Sequence, residues 1–423
     1  MTASRACSRL GRSLFLWVAL LAAGCAAPVT PDLVITNARV FTNDLARPWA
    51  EAVAIKGDRV VAVGTAAFVT ASAAPHTRVI DAGGRVLVPG FNDARVELPL
   101  EPPTPAGLSE LDRIARSLGI TSLQVIAGGP MRSLVAAAQQ AKRQARWRLI
   151  RSPMEGERPQ DEKPFLPPQP GLRLLANGIS WTFGSWPGLA AADPARLDTV
   201  VEWAYGAEDP LIVAVGGELP DASIDGRAGR AEIQALLHAL RRIGVADVWR
   251  RKRPRLDLRA RIPIDPAAGT AGHPTIHEAV HGALSELGAL GIVVTAVPVP
   301  WRSRRHMKDT DDFSEPHWFR GAGVVVAVGS GRDRTLVEAL ADLLEDDSAA
   351  REATVAAATW GSAYAEKAER DKGWLGPGTL ADLAVLSDDI FTVPVDRLRA
   401  TTSVLTLVGG TIVYDPGILS VRP

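Results

Sequence analysis

The motif with the most direct chemical meaning is His277-Glu278-Ala279-Val280-His281, which satisfies the pattern H-E-x-x-H. On a helix this spacing places two imidazoles side by side as zinc ligands, with the glutamate available as a general base. The apolar residues Ile276, Val280 and Leu284, however, predict a helix that packs on its other side and leaves both histidines at the solvent edge. No third ligand follows at a recognisable spacing. We therefore interpret the motif as a chance match.

Cysteine chemistry is confined to the start of the chain, because the only two cysteines are Cys7 and Cys25. Thiol nucleophiles, disulfides and cysteine-ligated zinc are thereby excluded from the remainder. An arginine-rich start, an apolar run over 14–21 and the small residues Ala22-Ala23-Gly24 precede Cys25, which is typical of a lipoprotein signal peptide. We expect Cys25 to be lipidated and the protein to be extracytoplasmic, anchored to the outer membrane and facing the periplasm. The alternative is an ordinary cleaved signal peptide.

The composition narrows the classes of partner. Of the 423 residues, 47% are hydrophobic and 22% are charged, which is typical of a globular chain. The 47 basic side chains balance 47 acidic ones, so no overall charge attracts a polyanion and we expect no nucleic-acid partner. The sequence also lacks a G-x-S-x-G motif, so it gives no sign of a serine-hydrolase nucleophile elbow.

Runs typical of strands alternate with helical patterns through the middle of the chain. These runs are the one through Arg95 and residues 120–126, 147–150, 172–176, 211–216, 256–262, 291–297 and 324–329. Eight βα repeats predict an α/β fold, a (β/α)8 TIM-like barrel whose active face is built from the loops that follow the strands. Shorter alternating runs within 33–88 and 383–414 predict a small composite β-sandwich made from both ends of the chain.

Two groups of motifs frame the predicted barrel. They are Asp32-Leu33-Val34-Ile35-Thr36-Asn37-Ala38-Arg39-Val40-Phe41, Val88-Pro89-Gly90-Phe91 and Asp93-Ala94 before it, and Gly376-Pro377-Gly378-Thr379-Leu380-Ala381-Asp382-Leu383 and Val408-Gly409-Gly410 after it. In these motifs the chain resembles the metal-dependent amidohydrolase superfamily, specifically its family 3 branch. The resemblance implies hydrolysis of carbon–nitrogen bonds by water that metal ions activate at the strand ends.

The positions where the resemblance implies metal ligands carry other residues. The substituted positions are Arg95 and Glu97 on the first strand, Arg173 on the fourth, Gly216 or alternatively Ala222 on the fifth, Leu258 on the sixth and Gly331 on the eighth. Asp333 lies close enough to Gly331 for a local shift to bring a carboxylate there, so it is a weak catalytic candidate. We therefore expect no bound metal and no other cofactor.

Arg95 and Glu97 are two residues apart on a strand, so their side chains share one face, the interior of the predicted barrel. Arg173 is expected to reach the same space. In one interpretation Glu97 pairs with one or both arginines and fills the vacated metal site, since an unpaired buried charge is costly. In the other, the excess positive charge, with Trp301 and Arg302 after the seventh strand, forms a pocket for a carboxylate or phosphate ligand.

The sequence thus predicts a signal peptide over 1–24, the two parts of the sandwich over 25–90 and 371–423, and the barrel over 91–370. Its expected function is that of a degenerate amidohydrolase, a non-catalytic barrel that binds a small anionic ligand or a protein partner. The alternative is an active metal-dependent hydrolase of non-peptide carbon–nitrogen bonds, with zinc or another divalent metal held by a rearranged set such as Asp333, Glu97 and a histidine.

Overall fold

A computed structural model describes residues 29–99, 101–126, 131–151, 174–182, 194–206, 210–215, 226–258, 284–297, 323–332, 334–343 and 348–422. The N-terminal elements are β1 (Leu33–Thr36), β2 (Arg39–Phe41), β3 (Trp49–Ala50), β4 (Ala52–Lys56), β5 (Arg59–Gly64), α1 (Ala66–Thr70), β6 (Arg78–Asp81) and β7 (Val86–Pro89). Residues 33–41 form two strands, because Asn37 turns the chain with a positive φ of 52°.

The central part of the chain alternates strands and helices. Its elements are β8 (Phe91–Glu97), α2 (Pro105–Ser117), β9 (Ile120–Ile126), α3 (Met131–Gln140), β10 (Arg146–Arg151), β11 (Leu174–Thr182), α4 (Pro194–Gly206), β12 (Leu211–Val215), α5 (Gly226–Ile243), α6 (Ala246–Lys252), β13 (Arg255–Leu258), β14 (Val293–Ala296), β15 (Val326–Val328), α7 (Leu336–Leu343), α8 (Ser348–Ala356), a π-helical turn (Ala357–Gly361) and α9 (Ser362–Ala365). The strands β8 to β15 form one eight-stranded parallel sheet in sequential order, so the fold is α/β.

The outer strands of this sheet approach each other. An isolated parallel bridge joins Val96 of β8 to Gly331, which lies just after β15. The Gly331 amide donates to the Arg95 carbonyl at 2.8 Å, and the Glu97 amide donates to the Gly331 carbonyl at 2.9 Å. Gly331 has a φ of 78°, a conformation that favours glycine. These contacts hold the carboxyl end of the first strand of the sheet beside the end of the last.

The C-terminal elements are β16 (Leu383–Leu386), α10 (Val395–Leu398), β17 (Ser403–Val408), β18 (Thr411–Tyr414) and β19 (Ser420–Arg422). They complete two further sheets with the N-terminal strands, in the orders β19-β6-β1-β4-β5 and β18-β17-β16-β7-β2-β3. The two sheets share one core cluster, in which Ile35 and Val53 of the first lie with Leu87 and Leu405 of the second. Strands from both ends of the described chain therefore contribute to the same two sheets and to one core cluster.

Local signals explain how helices are placed around the large sheet. Thr104 caps α2 by accepting the Gly107 amide at 3.1 Å, and Pro105 occupies the first turn, where its missing amide costs nothing. Asp112, buried on α2, accepts the indole N–H of Trp147 at 2.9 Å and so ties the helix to β10. Among the described residues, no helix is both long and apolar enough to cross a bilayer.

Candidate functional site

Arg95 and Glu97 lie together on β8, and both side chains are buried. The Nε of Arg95 donates to Glu97 Oε1 at 2.5 Å, and its Nη1 donates to Asp257 Oδ2 on β13, also at 2.5 Å. The Arg95 side chain is only 2% exposed, and that of Asp257 is fully buried. One guanidinium therefore bridges two carboxylates from strands 162 residues apart in the chain.

Arg255 extends this arrangement from the other side of Asp257. It donates from Nε to Asp257 Oδ1 at 2.7 Å and from Nη2 to Oδ2 at 2.9 Å. Its Nη1 donates to Gln124 Oε1 on β9 at 2.8 Å. The five residues Glu97, Arg95, Asp257, Arg255 and Gln124 form a continuous buried chain of hydrogen bonds, which we call the ionic ladder.

The ionic ladder is electrically balanced, with two guanidinium groups and two carboxylates. Burial alone would raise the pKa of Asp257, but the charges of Arg255 and Arg95 outweigh it and lower that pKa below its ordinary value. Burial likewise opposes the charge of Arg95, yet Glu97 and Asp257 outweigh it and raise the pKa of the guanidinium. Both shifts favour the charged forms of Asp257 and Arg95. At its outer end, Arg332 Nη2 lies 3.8 Å from Glu97 Oε2 and is 41% exposed.

Asp93 lies beside the ladder but is held by the backbone. Its Oδ1 accepts the Ser330 amide at 2.9 Å and the Arg95 amide at 3.2 Å, which links β8 to the segment after β15. Burial raises the pKa of this carboxyl to about 6, and the hydrogen bonds from Ser330 offset only part of that effect. The charge of Asp93 is therefore expected to change near pH 6.

A second polar cluster closes the amino-terminal end of the sheet. Glu366 Oε1 accepts Asn92 Nδ2 at 2.5 Å and pairs with Lys372 Nζ at 2.6 Å. The same Lys372 nitrogen donates to Ser122 Oγ at 2.6 Å. Since every one of these groups has a partner, we assign the cluster a structural role.

The sequence-based expectations for the site have mixed outcomes. The predicted pairing of Glu97 with Arg95 is present, but the second partner of Arg95 is Asp257. Leu258 occupies the outward face of β13, in the large core cluster with Trp249, so it does not face the site. We correct that assignment: the inward residues of β13 are Arg255 and Asp257, because side chains alternate along a strand.

Several predicted site residues lie outside the described part of the chain. They are Cys25, Arg173, Gly216, Ala222, Trp301, Arg302, Asp333 and the run His277–His281. Sequence reasoning also missed Arg255, Asp257 and Gln124. Arg255-Leu256-Asp257-Leu258 repeats the alternation of Arg95-Val96-Glu97, with charged residues two apart in an apolar strand, and that shared pattern is the signal that could have revealed them.

The described residues do not fit a catalytic divalent metal. Across the described ranges, no group of three or more histidine, cysteine, aspartate or glutamate side chains is placed to hold one. The two carboxylates nearest the expected position, Glu97 and Asp257, already bind Arg95, which carries the compensating positive charge. A metal ion there would have to displace the guanidinium, and the positive charge of the guanidinium repels it.

Comparison with known proteins finds similarity to amidohydrolases over part of the chain. A family model described as Amidohydrolase family matches residues 310–414. The chain is 45% identical over 67 residues to an N-substituted formamide deformylase from Arthrobacter pascens, covering 16% of this chain and 12% of the relative. It is 29% identical over 216 residues to an N-acyl-D-glutamate deacylase from Alcaligenes xylosoxydans xylosoxydans, covering 49% of this chain and 43% of the relative. The matched regions thus span less than half of these relatives.

Solved structures share the fold over nearly the whole chain. An L-hydantoinase from Arthrobacter aurescens superposes with a TM-score of 0.58 at 17% identity, covering 92% of this chain and 98% of its own. An adenosine deaminase from Xanthomonas campestris with bound zinc superposes with a TM-score of 0.59 at 16% identity, covering 92% of this chain and 94% of the deaminase. The family-model match and the curated relatives, with this shared fold, support the assignment of the chain to the metal-dependent amidohydrolase superfamily.

Proposed function

We propose that this superfamily member is a non-catalytic barrel that binds a ligand or a protein partner without a metal. The observation that carries the proposal is the Arg95 guanidinium, bonded at 2.5 Å both to Glu97 and to Asp257 at the strand ends. Metal-assisted hydrolysis needs a cation with an open position where water binds and loses a proton. A guanidinium donates hydrogen bonds but offers no such position, so this arrangement does not supply the reaction.

The proposal includes an architecture. We infer that the eight-stranded sheet is a (β/α)8 barrel, and the bridge between Val96 and Gly331 supports its closure. We also infer that the two smaller sheets are the faces of a composite sandwich, which their common core cluster supports. In such a barrel the binding face is formed by the loops after the strands.

We further propose where the protein resides and what it binds. The sequence before Cys25 supports a lipid-anchored protein on the periplasmic side of the outer membrane. Because Arg95 is already neutralised by two carboxylates, an anionic ligand would be held by other arginines of the mouth, Arg173 and Arg302, beside Trp301. A carboxylate or phosphate is the ligand class that paired arginines recognise.

A second candidate is an active hydrolase of non-peptide carbon–nitrogen bonds. The specific observation in its favour is that relatives are named as a formamide deformylase and an acyl-glutamate deacylase, and a solved structure of similar fold as a hydantoinase. This candidate requires metal ligands that replace the substituted positions, and Asp333 is the carboxylate that the sequence offers.

The two candidates are separated by assaying the purified protein with added zinc or manganese against N-formyl amines, N-acyl amino acids and hydantoins. We expect no turnover above that of a metal-only blank. In parallel, a thermal-shift screen of carboxylates and phosphates is expected to find a stabilising anion, whose effect is lost in Arg302→Ala. Turnover that a chelator abolishes would refute the proposal and establish the hydrolase. If no anion stabilises the protein, the proposal of a carboxylate or phosphate ligand is refuted.

A further inference from the structure

We propose that the end of the molecule where the chain enters the sandwich faces the lipid bilayer, and that the barrel mouth, at the carboxyl ends of β8 to β15, opens away from it. The inference rests on the proposed function, which places a lipid on Cys25. It deepens that function by giving the source of the anionic ligand, which would be the aqueous phase and not the membrane.

The chain is fixed to the sandwich soon after the proposed lipid anchor. Pro31 follows Cys25 by six positions, and its carbonyl accepts the Thr77 hydroxyl at 2.8 Å. The amide of the next residue, Asp32, donates to the Ile55 carbonyl at 2.8 Å. Six residues extend over at most about 22 Å. A lipid on Cys25 therefore holds the Pro31 end of the sandwich close to the bilayer.

The chain entry is joined by hydrogen bonds to the segment before β16. The Asp32 carboxylate accepts the amide of Gly57, in the turn between β4 and β5, at 2.8 Å. In the same turn, the Asp58 carbonyl accepts the Ala381 amide, also at 2.8 Å. Ala381 and Asp382 immediately precede β16. The entry, the turn and this segment therefore lie together at one end of the sandwich.

Asp382 connects this end of the sandwich to the starts of the barrel strands. Its carbonyl accepts the amide of Gly90, one residue before β8, at 2.9 Å. Its carboxylate accepts Nε of Arg146, the first residue of β10, at 2.6 Å. The amide of Phe91, where β8 begins, donates at 3.0 Å to the carbonyl of Gly119, just before β9. The amino-terminal edge of the large sheet is therefore the edge nearest to the chain entry.

The direction of the strands then places the mouth at the far side. Strands of a parallel sheet all run the same way, so their carboxyl ends lie at the edge opposite their starts. β8 has seven residues, and its end at Glu97 is about 20 Å from Phe91 at about 3.3 Å per residue. The loops after the strands, which form the mouth, lie beyond that edge. We therefore expect a water-soluble carboxylate or phosphate as the ligand, and not a lipid headgroup.

The surface around the chain entry suits contact with hydrated headgroups. Lys56 pairs with Asp32 at 2.5 Å, and Arg59 pairs with Asp371 at 2.8 Å, with all four side chains reaching solvent. Asp58 in the adjoining turn is also exposed. Charged groups are costly to transfer into hydrocarbon. This end of the sandwich is thus expected to rest on the bilayer surface without inserting into it.

The test places a single fluorophore at either end of the molecule. The processed protein offers no competing thiol, because Cys7 lies in the signal peptide and the lipid occupies Cys25. Asp58→Cys, in the entry turn, and Glu101→Cys, an exposed position four residues after β8, are each made in the full-length chain and labelled. The lipoproteins are reconstituted in vesicles of phosphatidylethanolamine and phosphatidylglycerol, some of whose headgroups carry a nitroxide quencher.

The Asp58 label should be quenched several-fold more strongly than the Glu101 label, while a water-soluble quencher should reach both labels to a similar extent. A long Gly-Ser linker inserted after Ala27 should abolish the difference, because the entry is then no longer held near the bilayer. A difference that persists with the linker would refute the role of the short tether.

Incorporation of labelled palmitate, measured on the same preparations and on Cys25→Ala, separates this inference from the proposed function. If no palmitate is incorporated, or if Cys25→Ala incorporates as much, the proposed lipid anchor is refuted. If palmitate is bound at Cys25, equal quenching of the two labels or stronger quenching of the Glu101 label overturns this inference alone.

Discussion

Asp257 is the residue whose replacement should damage the ionic ladder most. It is fully buried and accepts three hydrogen bonds, one from Arg95 and two from Arg255. Asp257→Asn keeps the size of the side chain but removes its charge and turns an N–H group towards the guanidinium donors. Arg255 then loses the carboxylate with which it pairs, while Arg95 keeps its bond to Glu97.

The magnitude follows from this geometry. Breaking a buried ion pair by removing one partner costs about 3–5 kcal/mol, because the remaining charge is left uncompensated. The asparagine oxygen still accepts one of the three donors, so we expect a loss of about 4 kcal/mol in the free energy of unfolding. The double variant Arg255→Met/Asp257→Asn removes one charge of each sign. It should therefore lose less than the sum of the two single changes.

The assay is urea unfolding at neutral pH, followed by tryptophan fluorescence and by circular dichroism. Glu110→Gln is the matched control, because Glu110 forms an exposed ion pair with Arg113 and its loss should not shift the transition measurably. A loss below about 1 kcal/mol for Asp257→Asn, or strict additivity in the double variant, would show that the ladder does not stabilise the fold as argued.

Two further predictions concern pH and packing. Burial raises the pKa of Asp93 to about 6 in the folded chain, compared with the ordinary aspartate value of 3.8. The folded state thus binds this proton more tightly, and its contribution to the free energy of unfolding should rise by about 2.4 kcal/mol as pH falls from 7 to 4. Asp93→Asn should remove that contribution from urea midpoints measured across this range; an unchanged pH dependence would contradict the assignment. Gly361→Ala should prevent soluble expression, because the added Cβ would stand 1.9 Å from the Val326 carbonyl oxygen. Gly206→Ala is the control and should express normally, because a Cβ there would have no atom within 4 Å. Equal yields of the two variants would refute the packing argument.

The strands of the fold could be predicted because their apolar patterns are local. The predicted strand over 120–126 has the observed bounds of β9, and the predicted strand over 211–216 begins where β12 begins, at Leu211. The predicted run over 172–176 ends too early, since β11 continues to Thr182. Gly178, with a φ of 101°, and the register shift beside it interrupt the alternation on which the prediction depends.

The pairing of Glu97 with Arg95 could be predicted because both residues belong to one strand. The contact of Arg95 with Asp257 could not, because it depends on how two strands far apart in sequence face each other across the sheet. The assignment of Leu258 to the site was wrong for a related reason. A shift of one residue along a strand moves a side chain to the opposite face of the sheet. The charge balance could have indicated Asp257, since a second buried arginine, Arg255, requires another carboxylate.

The central claim is that this amidohydrolase fold operates without a metal, with Arg95 in its place. It is tested most directly by elemental analysis of the purified full-length protein produced with zinc and manganese in the medium, with the melting temperature measured before and after chelation. The account predicts far less than one equivalent of any transition metal per chain and an unchanged melting temperature. One or more equivalents of zinc, iron or manganese, with a lower melting temperature once the metal is removed, would contradict it.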